Sequence, residues 1–556
     1  MPDKLASRDG GQSVGRSRIA ITMVCFLAVY AAIGGRLVQY GLEDLEDRTR
    51  YGAVDRIMAA RPDIVDRNGV VMATDLRVAS LYGEPVRIID VDEAVEALAT
   101  VLPDVDQKDW HRKLSSGAGF VWLRRELSPP QQAKVMQLGI PGIGFRRETR
   151  RFYPHAETAA HVLGLVNIDN AGTAGIEKHI DDDGLGTLQE LGLDVETELE
   201  PVALSIDSRV QAVVHDELRD AMQRYDAIAA GAVILDVHTG EVIAMASLPD
   251  YDPNNPFNAL DKDRLNRMSA GLFEMGSTFK AFTTAMALDS GKVTLNDRFD
   301  ASKPIRIGGF TINDFHGKRR VLSVPEVFIY SSNIGTARMA DVVGIEGHRE
   351  FLARLGLLDR MDTELPEVAK PTEPKDWKKI NSITISFGHG MSTTPLQTAV
   401  AAAALMNGGK LIEPTFKRRS PEQAAAIAKQ VLRPQTSQDM RYLFRYNVEA
   451  GSGRRADVDG LFVGGKTGTA EKVVNGRYSG DHRFNAFLGA FPMDDPQYVV
   501  LTIIDEPKPT EGQKSATAGL NAAPMVGNII RRSATMLGVQ PQFGKQRDAL
   551  LVSYSE

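Results

Sequence analysis

The sequence predicts an α+β protein in which a single N-terminal transmembrane helix precedes two folded domains. Three observations predict it. At 556 residues the chain exceeds what one hydrophobic core ordinarily spans, so more than one domain is expected. Ile19 to Gly35 carries no charge and is mostly apolar, and the run extends through Leu37 and Val38 if the Arg36 head group reaches the interface. Strand-like runs at Gly231 to Ser247, Phe484 to Phe491 and Tyr498 to Ile504 bracket a long helical stretch from Phe273 to Asp457. Strands at both ends of a helical middle indicate one antiparallel sheet flanked by helices. The expected division is a tail over 1–18, the transmembrane helix over 19–38, a first domain over 39–200, a second over 201–538, and a C-terminal tail over 539–556.

Each element has its own warrant. Lys4, Arg8, Arg16 and Arg18 precede the apolar run, which favours an N-terminus left in the cytoplasm and an exported C-terminal bulk. The nearest cleavage-like triplet, Ala32-Ile33-Gly34, departs from the usual small-residue signature, so an uncleaved anchor is expected. In the first domain, Arg61 to Asp66 reads as a strand entering an Asn68-Gly69 turn, with Val71 to Ala73 returning. Phe120 to Leu123 reads as a strand, and Pro129-Pro130 opens a helix through Gln131 to Leu138. This domain offers no nucleophile–base pair and reads as scaffold. In the second domain, Ser205 or Asp207 can cap a helix whose apolar face runs Val210, Val213, Val214, Leu218 and Met222. The run from Gly231 turns at His238-Thr239-Gly240 and returns through Val242, Ile243 and Met245.

Composition narrows the functional classes. With 43% hydrophobic and 25% charged residues the chain can bury a large core. A net charge of -7 gives no broad basic face, so no nucleic-acid partner is expected. One cysteine, Cys25, precludes an intramolecular disulfide, and its apolar setting reads as a small buried hydrophobe. The ten histidines are scattered, so neither a metal nor another cofactor is expected.

Three short motifs occur in order. Ser277-Thr278-Phe279-Lys280 follows Gly276, which suggests a turn feeding a helix. A serine in a first helical turn faces free backbone N–H groups and the positive end of the dipole. Lys280, three residues on, projects along the same face. Buried among Met275, Phe279 and Phe282 it would be desolvated, and desolvation favours its neutral, basic form. A neutral lysine in reach of the hydroxyl can take the serine's proton. Alone the pattern is weak, since about two copies are expected by chance in a chain this long. Ser331-Ser332-Asn333 follows Tyr330 between helical stretches. Ser331 could relay a proton from Lys280 to a leaving amine, and Asn333 could hold a peptide amide or fix the lysine. Lys466-Thr467-Gly468-Thr469 is more specific, arising by chance in about one chain per hundred of this size. Gly464-Gly465 before it and Ala470 after it suggest a strand that a ligand backbone can approach. Lys466, Thr467 and Thr469 then supply a cation and hydroxyls for a terminal carboxylate. The backbone N–H groups of Ser277 and Thr469 could form an oxyanion hole.

With these motifs the chain resembles the class B penicillin-binding proteins, from Arg36 to about Ile530. The resemblance includes Arg61 to Gly69, Phe120 to Gln132, Arg151 to Pro154, His161 to Gly164, Gly175 to Glu177, Phe387 to Gly390, Phe491-Pro492 and Asp505 to Lys508. Asn333 in the second motif, and Gly468 to Val473 leading to Gly476-Arg477-Tyr478, are similar to the cell-division branch, the FtsI type. Pro62, His155, Met275 and His389 depart from the usual family pattern, and none is a proposed catalytic group.

The resemblance implies a pedestal as the first domain, elongated and of the class B dimerisation type, and a serine β-lactamase-like transpeptidase domain as the second. It implies a peptidoglycan D,D-transpeptidase: Ser277 would attack the bond between the terminal D-alanines of a stem peptide, and a neighbouring stem's amine would take the acyl group. β-Lactams would acylate the same serine. Lys280, Ser331, Asn333 and Lys466 would carry the proton transfers and hold the substrate, while Thr467, Gly468 and Thr469 would bind it. Expected partners are peptidoglycan stem peptides, a polytopic glycosyltransferase of the FtsW kind and other division proteins. The expected site is the inner membrane at the septum, with the catalytic domain in the periplasm. The elongation branch, a hydrolase or a non-catalytic β-lactam receptor are the alternatives. No deacylating Glu-x-x-x-Asn follows the second motif, and the acidic stretch near Glu364 and Glu367 does not form one.

Overall fold

Ile64–Val65 (β1) runs into a turn at Arg67-Asn68-Gly69, because the Asp66 carboxylate accepts from Asn68 N at 2.7 Å and Val70 N at 2.9 Å. The chain returns as Val71–Gly83 (β2), far longer than the three residues expected. In this computed structural model, residues 23–24, 27–31, 33–34, 61–185, 199–474 and 477–544 are described. β2 pairs antiparallel with both Val121–Leu127 (β3) and Ile143–Phe152 (β4). Val202–Ala203 (β5) adds to β1 in parallel. Helices Val91–Val101, Gln107–Leu114 and Pro129–Gln137 bury Leu98, Trp110, Leu114 and Val135 against Leu81, Leu123 and Leu127. A second centre in this domain is ionic. Arg61 and Arg151, both fully buried, converge on the Glu177 carboxylate at 2.8 and 2.6 Å. Asp181 and Asp75 add a second carboxylate to Arg61 and to Arg151 respectively.

Ser208–Tyr225 (α1) opens the second domain. Of the two caps left open by the sequence, Asp207 is the one used, accepting from Arg209 N and Val210 N. Ser205 instead donates its hydroxyl to Val242 O at 2.7 Å. Ala229–Asp236 (β6), Val242–Leu248 (β7), Gly464–Val474 (β8), Arg477–Phe491 (β9) and Tyr498–Asp505 (β10) form one antiparallel sheet in the order β8-β9-β10-β6-β7. Both faces are covered, so β6 and β7 are buried almost throughout. On one face Leu235, Leu488 and Leu501 meet the helical core, built on Lys280–Asp289 (α2), Asn333–Val343 (α3), Pro395–Met406 (α4) and Pro434–Ala450 (α5). On the other, Ile234, Phe487 and Val500 meet α1 and Ala522–Ser533 (α6).

The middle of the chain is less purely helical than the sequence suggested. Short strands Arg298–Asp300, Ile305–Ile307, Phe310–Ile312 and Val321–Ser323 form two small hairpins beside α3. Three residues are too few for a readable alternation.

The two sheets belong to one unit over residues 60–556. Asp66 accepts from Ser208 N at 3.0 Å and from Ser208 Oγ at 2.7 Å, and Arg67 reaches Glu241 at 3.1 Å. Burial raises the Asp66 pKa, but the bonds from Ser208, Val70 and Asn68 outweigh it and hold the carboxyl below its ordinary range. The predicted span over 19–38, with Cys25, falls largely outside the described residues; those of its residues that are described are helical. Among the described residues no helix is long and apolar enough to cross a membrane.

Candidate active site

Gly276–Phe279 is a single 3-10 turn that runs directly into α2, with Ser277 half-buried on it and Lys280 at the helix start. Every α2 residue from Lys280 to Leu288 is buried, so the lysine stem runs through the protein interior. Its Nζ donates to Ser331 O at 2.5 Å and to Ser331 Oγ at 3.0 Å. Among the described residues no hydrogen bond joins it to the Ser277 hydroxyl. In an unliganded site such bonds are often long and tighten only with substrate.

Ser331 lies in the turn between helix Val324–Ile329 and α3, with φ at +54°. Its Oγ also accepts from Lys466 Nζ at 3.0 Å, so one hydroxyl sits between two amines. Ser332 caps α3 by accepting from Gly335 N at 3.0 Å. Asn333 begins the helix and donates its amide to Asn313 O at 2.9 Å, toward a loop rather than toward the lysine.

Lys466, Thr467, Gly468 and Thr469 lie on β8, the edge strand. Lys466 is fully buried, with Nζ also donating to Thr467 O at 3.1 Å. The Thr467 hydroxyl meets Ser452 Oγ at 2.6 Å, and the Thr469 hydroxyl accepts from Ala518 N at 3.1 Å. Gly468 has to be glycine. A Cβ there would lie 2.6 Å from Met275 O and 2.8 Å from Thr278 Cγ2, so only a bare backbone lets β8 pack against the serine's turn.

Electrostatics favour a neutral Lys280 and bring Lys466 into the neutral pH range. Burial first, and then the like charge of Lys466, drive Lys280 well below the ordinary lysine range; Asp314 opposes them. Burial brings Lys466 down to about 7. A neutral amine is a proton acceptor, and a hydroxyl bonded to both amines makes a path along which a proton can move.

A fourth wall comes from Phe387 to Gly390. A Cβ on Gly388 would lie 1.9 Å from Gly276 O, so this loop also presses on the serine's turn. Glu274 accepts from Gly390 N at 2.8 Å and from Tyr478 OH at 3.2 Å, tying the loop to the β8–β9 hairpin. His389 sits against the rings of Phe387 and Tyr478, where burial lowers its pKa.

A family model described as the penicillin binding protein transpeptidase domain matches residues 230–531, a span that contains all three motifs. The chain belongs to this family. A second model, the penicillin-binding protein dimerisation domain, matches residues 56–187. Among curated proteins, a "Probable peptidoglycan D,D-transpeptidase FtsI" of Caulobacter vibrioides is 40% identical over 88% of this chain and 83% of its own length. A "Peptidoglycan D,D-transpeptidase FtsI" of Escherichia coli is 29% identical, covering 94% and 92%. "Stage V sporulation protein D" of Bacillus subtilis is 31% identical, covering 95% and 87%.

In this penicillin-binding protein Ser277, Lys280, Ser331 and Lys466 meet in one place, with Thr467 to Thr469 along its edge and Asn333 turned aside. Sequence reading missed Glu274, Asp314 and Ser452. The first adjoins the motif without belonging to it. Asp314 and Ser452 reach their partners across 18 and 15 residues, where no local pattern signals contact.

Proposed function

We propose that the chain is a peptidoglycan D,D-transpeptidase of the division branch, acting through an acyl-serine at Ser277. The observation that carries this reading is the Ser331 hydroxyl held at 3.0 Å from each of two buried lysines beside the nucleophile's turn. Neutral Lys280 takes the Ser277 proton as Oγ attacks the carbonyl between the terminal D-alanines. The new oxyanion is held by the N–H groups of Ser277 and Thr469. The proton passes by way of Ser331 to the leaving amine, D-alanine departs, and an amine from a neighbouring stem peptide reverses the sequence to form the cross-link. Lys466 with Thr467 and Thr469 receives the terminal carboxylate. β-Lactams acylate the same serine and leave slowly. Asn333, at the start of α3, ties the second motif to the Asn313 loop.

On this reading residues 39–200 are the pedestal, 201–538 the transpeptidase domain, and 19–38 a single inner-membrane anchor that leaves the catalytic domain in the periplasm. An FtsW-type glycosyltransferase and other division proteins are its partners. The test is covalent labelling by a fluorescent penicillin. Ser277→Ala is expected to remain folded and unlabelled, and undiminished labelling of that variant removes Ser277 from the mechanism. Depletion in the native organism is expected to give filaments; rounded cells would assign the enzyme to side-wall elongation.

A further inference from the structure

A serine with φ at +54° holds that conformation only where its surroundings impose it. At Ser331 the restraint comes from outside the three motifs. Asp314, on the loop between Phe310–Ile312 and Val321–Ser323, commits both carboxylate oxygens to the next turn of chain. Its Oδ2 accepts from Ser332 Oγ at 2.8 Å and its Oδ1 accepts from Ile334 N at 3.0 Å. The adjacent Asn313 carbonyl takes the Asn333 amide at 2.9 Å. Three successive residues after Ser331 are therefore pinned by two residues of one loop. We propose that Asp314 is a positioning residue for the acyl transfer: it locks the Ser331 hydroxyl between Lys280 and Lys466 and brings a carboxylate against the second motif. This rests on the function proposed above.

The charged groups that bear on Lys280 come from three elements: Lys466 on β8, Asp314 on its loop and His389 after helix Lys379–Ser386. Lys466 disfavours the protonated amine and Asp314 favours it. Asp314→Asn keeps both hydrogen bonds, since its oxygen still accepts from Ile334 N and its amide can donate to Ser332 Oγ, but the charge is gone. Lys280 then loses its proton at lower pH. Asp314→Ala removes the charge and both bonds.

The experiment is the rate of penicillin acylation of the full chain across pH, with thermal melting alongside. In Asp314→Asn the acid limb is expected to move toward lower pH by about half a unit or more, with the plateau rate within about threefold of the parent. In Asp314→Ala the limb is expected to move the same way and the plateau to fall at least about tenfold. An acid limb in Asp314→Asn that coincides with the parent's overturns the proposal. So does a folded Asp314→Ala whose plateau matches the parent's. If Asp314→Ala does not fold, the Asn variant's acid limb decides alone. A parent that is not acylated overturns the proposed function and this inference together, whereas an acylated parent with an unmoved acid limb overturns only the role of Asp314.

Discussion

Replacing Lys466 with methionine removes one of the two amines that share the Ser331 hydroxyl while keeping most of the side chain's volume. Each amine lies 3.0 Å from the same oxygen, which places their nitrogens no more than about 6 Å apart. Two unit charges at that separation repel by on the order of 3 kcal/mol at an effective dielectric constant of about 20. That repulsion disfavours protonated Lys280 wherever Lys466 is itself charged, which is below its pKa of about 7. Without it, Lys280 holds its proton to higher pH, and the acid limb of Ser277 acylation is expected to rise by about one to two pH units. The rate falls most on the acid side of the profile, and raising the pH recovers part of it. The assay is the second-order rate of acylation by a fluorescent penicillin from about pH 5 to about pH 9. The melting temperature is expected to hold or rise, because a buried cation has been replaced by an apolar side chain. An unmoved acid limb, with rate lost equally at every pH, would refute the electrostatic argument and leave Lys466 a purely binding role.

Gly468→Ala places a methyl group 2.6 Å from Met275 O, so the serine's turn and β8 have to separate; acylation is expected to fall at least about a hundredfold in a protein that still folds, and a rate within about threefold of the parent would contradict this packing. His348, buried with Nδ1 at 2.9 Å from Ser382 Oγ, has its pKa lowered to about 4 by burial. A depressed histidine contributes stability above its unfolded value and loses it as pH falls, here between about 6.5 and about 4, by on the order of 3 kcal/mol. His348→Gln is expected to flatten the dependence of melting temperature on pH across that window, and an unchanged slope would assign the acid sensitivity elsewhere.

What could be read from the sequence was what is short-range. The Asn68-Gly69 turn, a helix cap at Ser205 or Asp207, the Pro129 helix start and the strands of the large sheet announce themselves within a few residues. The three motifs are likewise local, and in the fold hydrogen bonds join Lys280, Ser331 and Lys466, one residue from each. The remainder depends on contacts that no window spans. Nothing near Asp314 marks it as the anchor of a helix cap 18 residues on, and Asn333 turns toward that same loop rather than toward the lysine. The Arg61–Glu177–Arg151 cluster joins segments 116 and 26 residues apart; each lies in a stretch the resemblance singled out, but no local window shows that the three meet.

β8 is the outermost strand of its sheet, yet little of its border lies open. At one end the Asn447 amide of α5 occupies Gly465 O at 2.7 Å; farther along, the backbone of Met275 lies against Gly468. An unguarded border of this kind would invite a passing strand from another molecule. With the Gly465 carbonyl already taken and the serine's turn packed on the bare face of Gly468, a strand from another molecule finds part of that border already used.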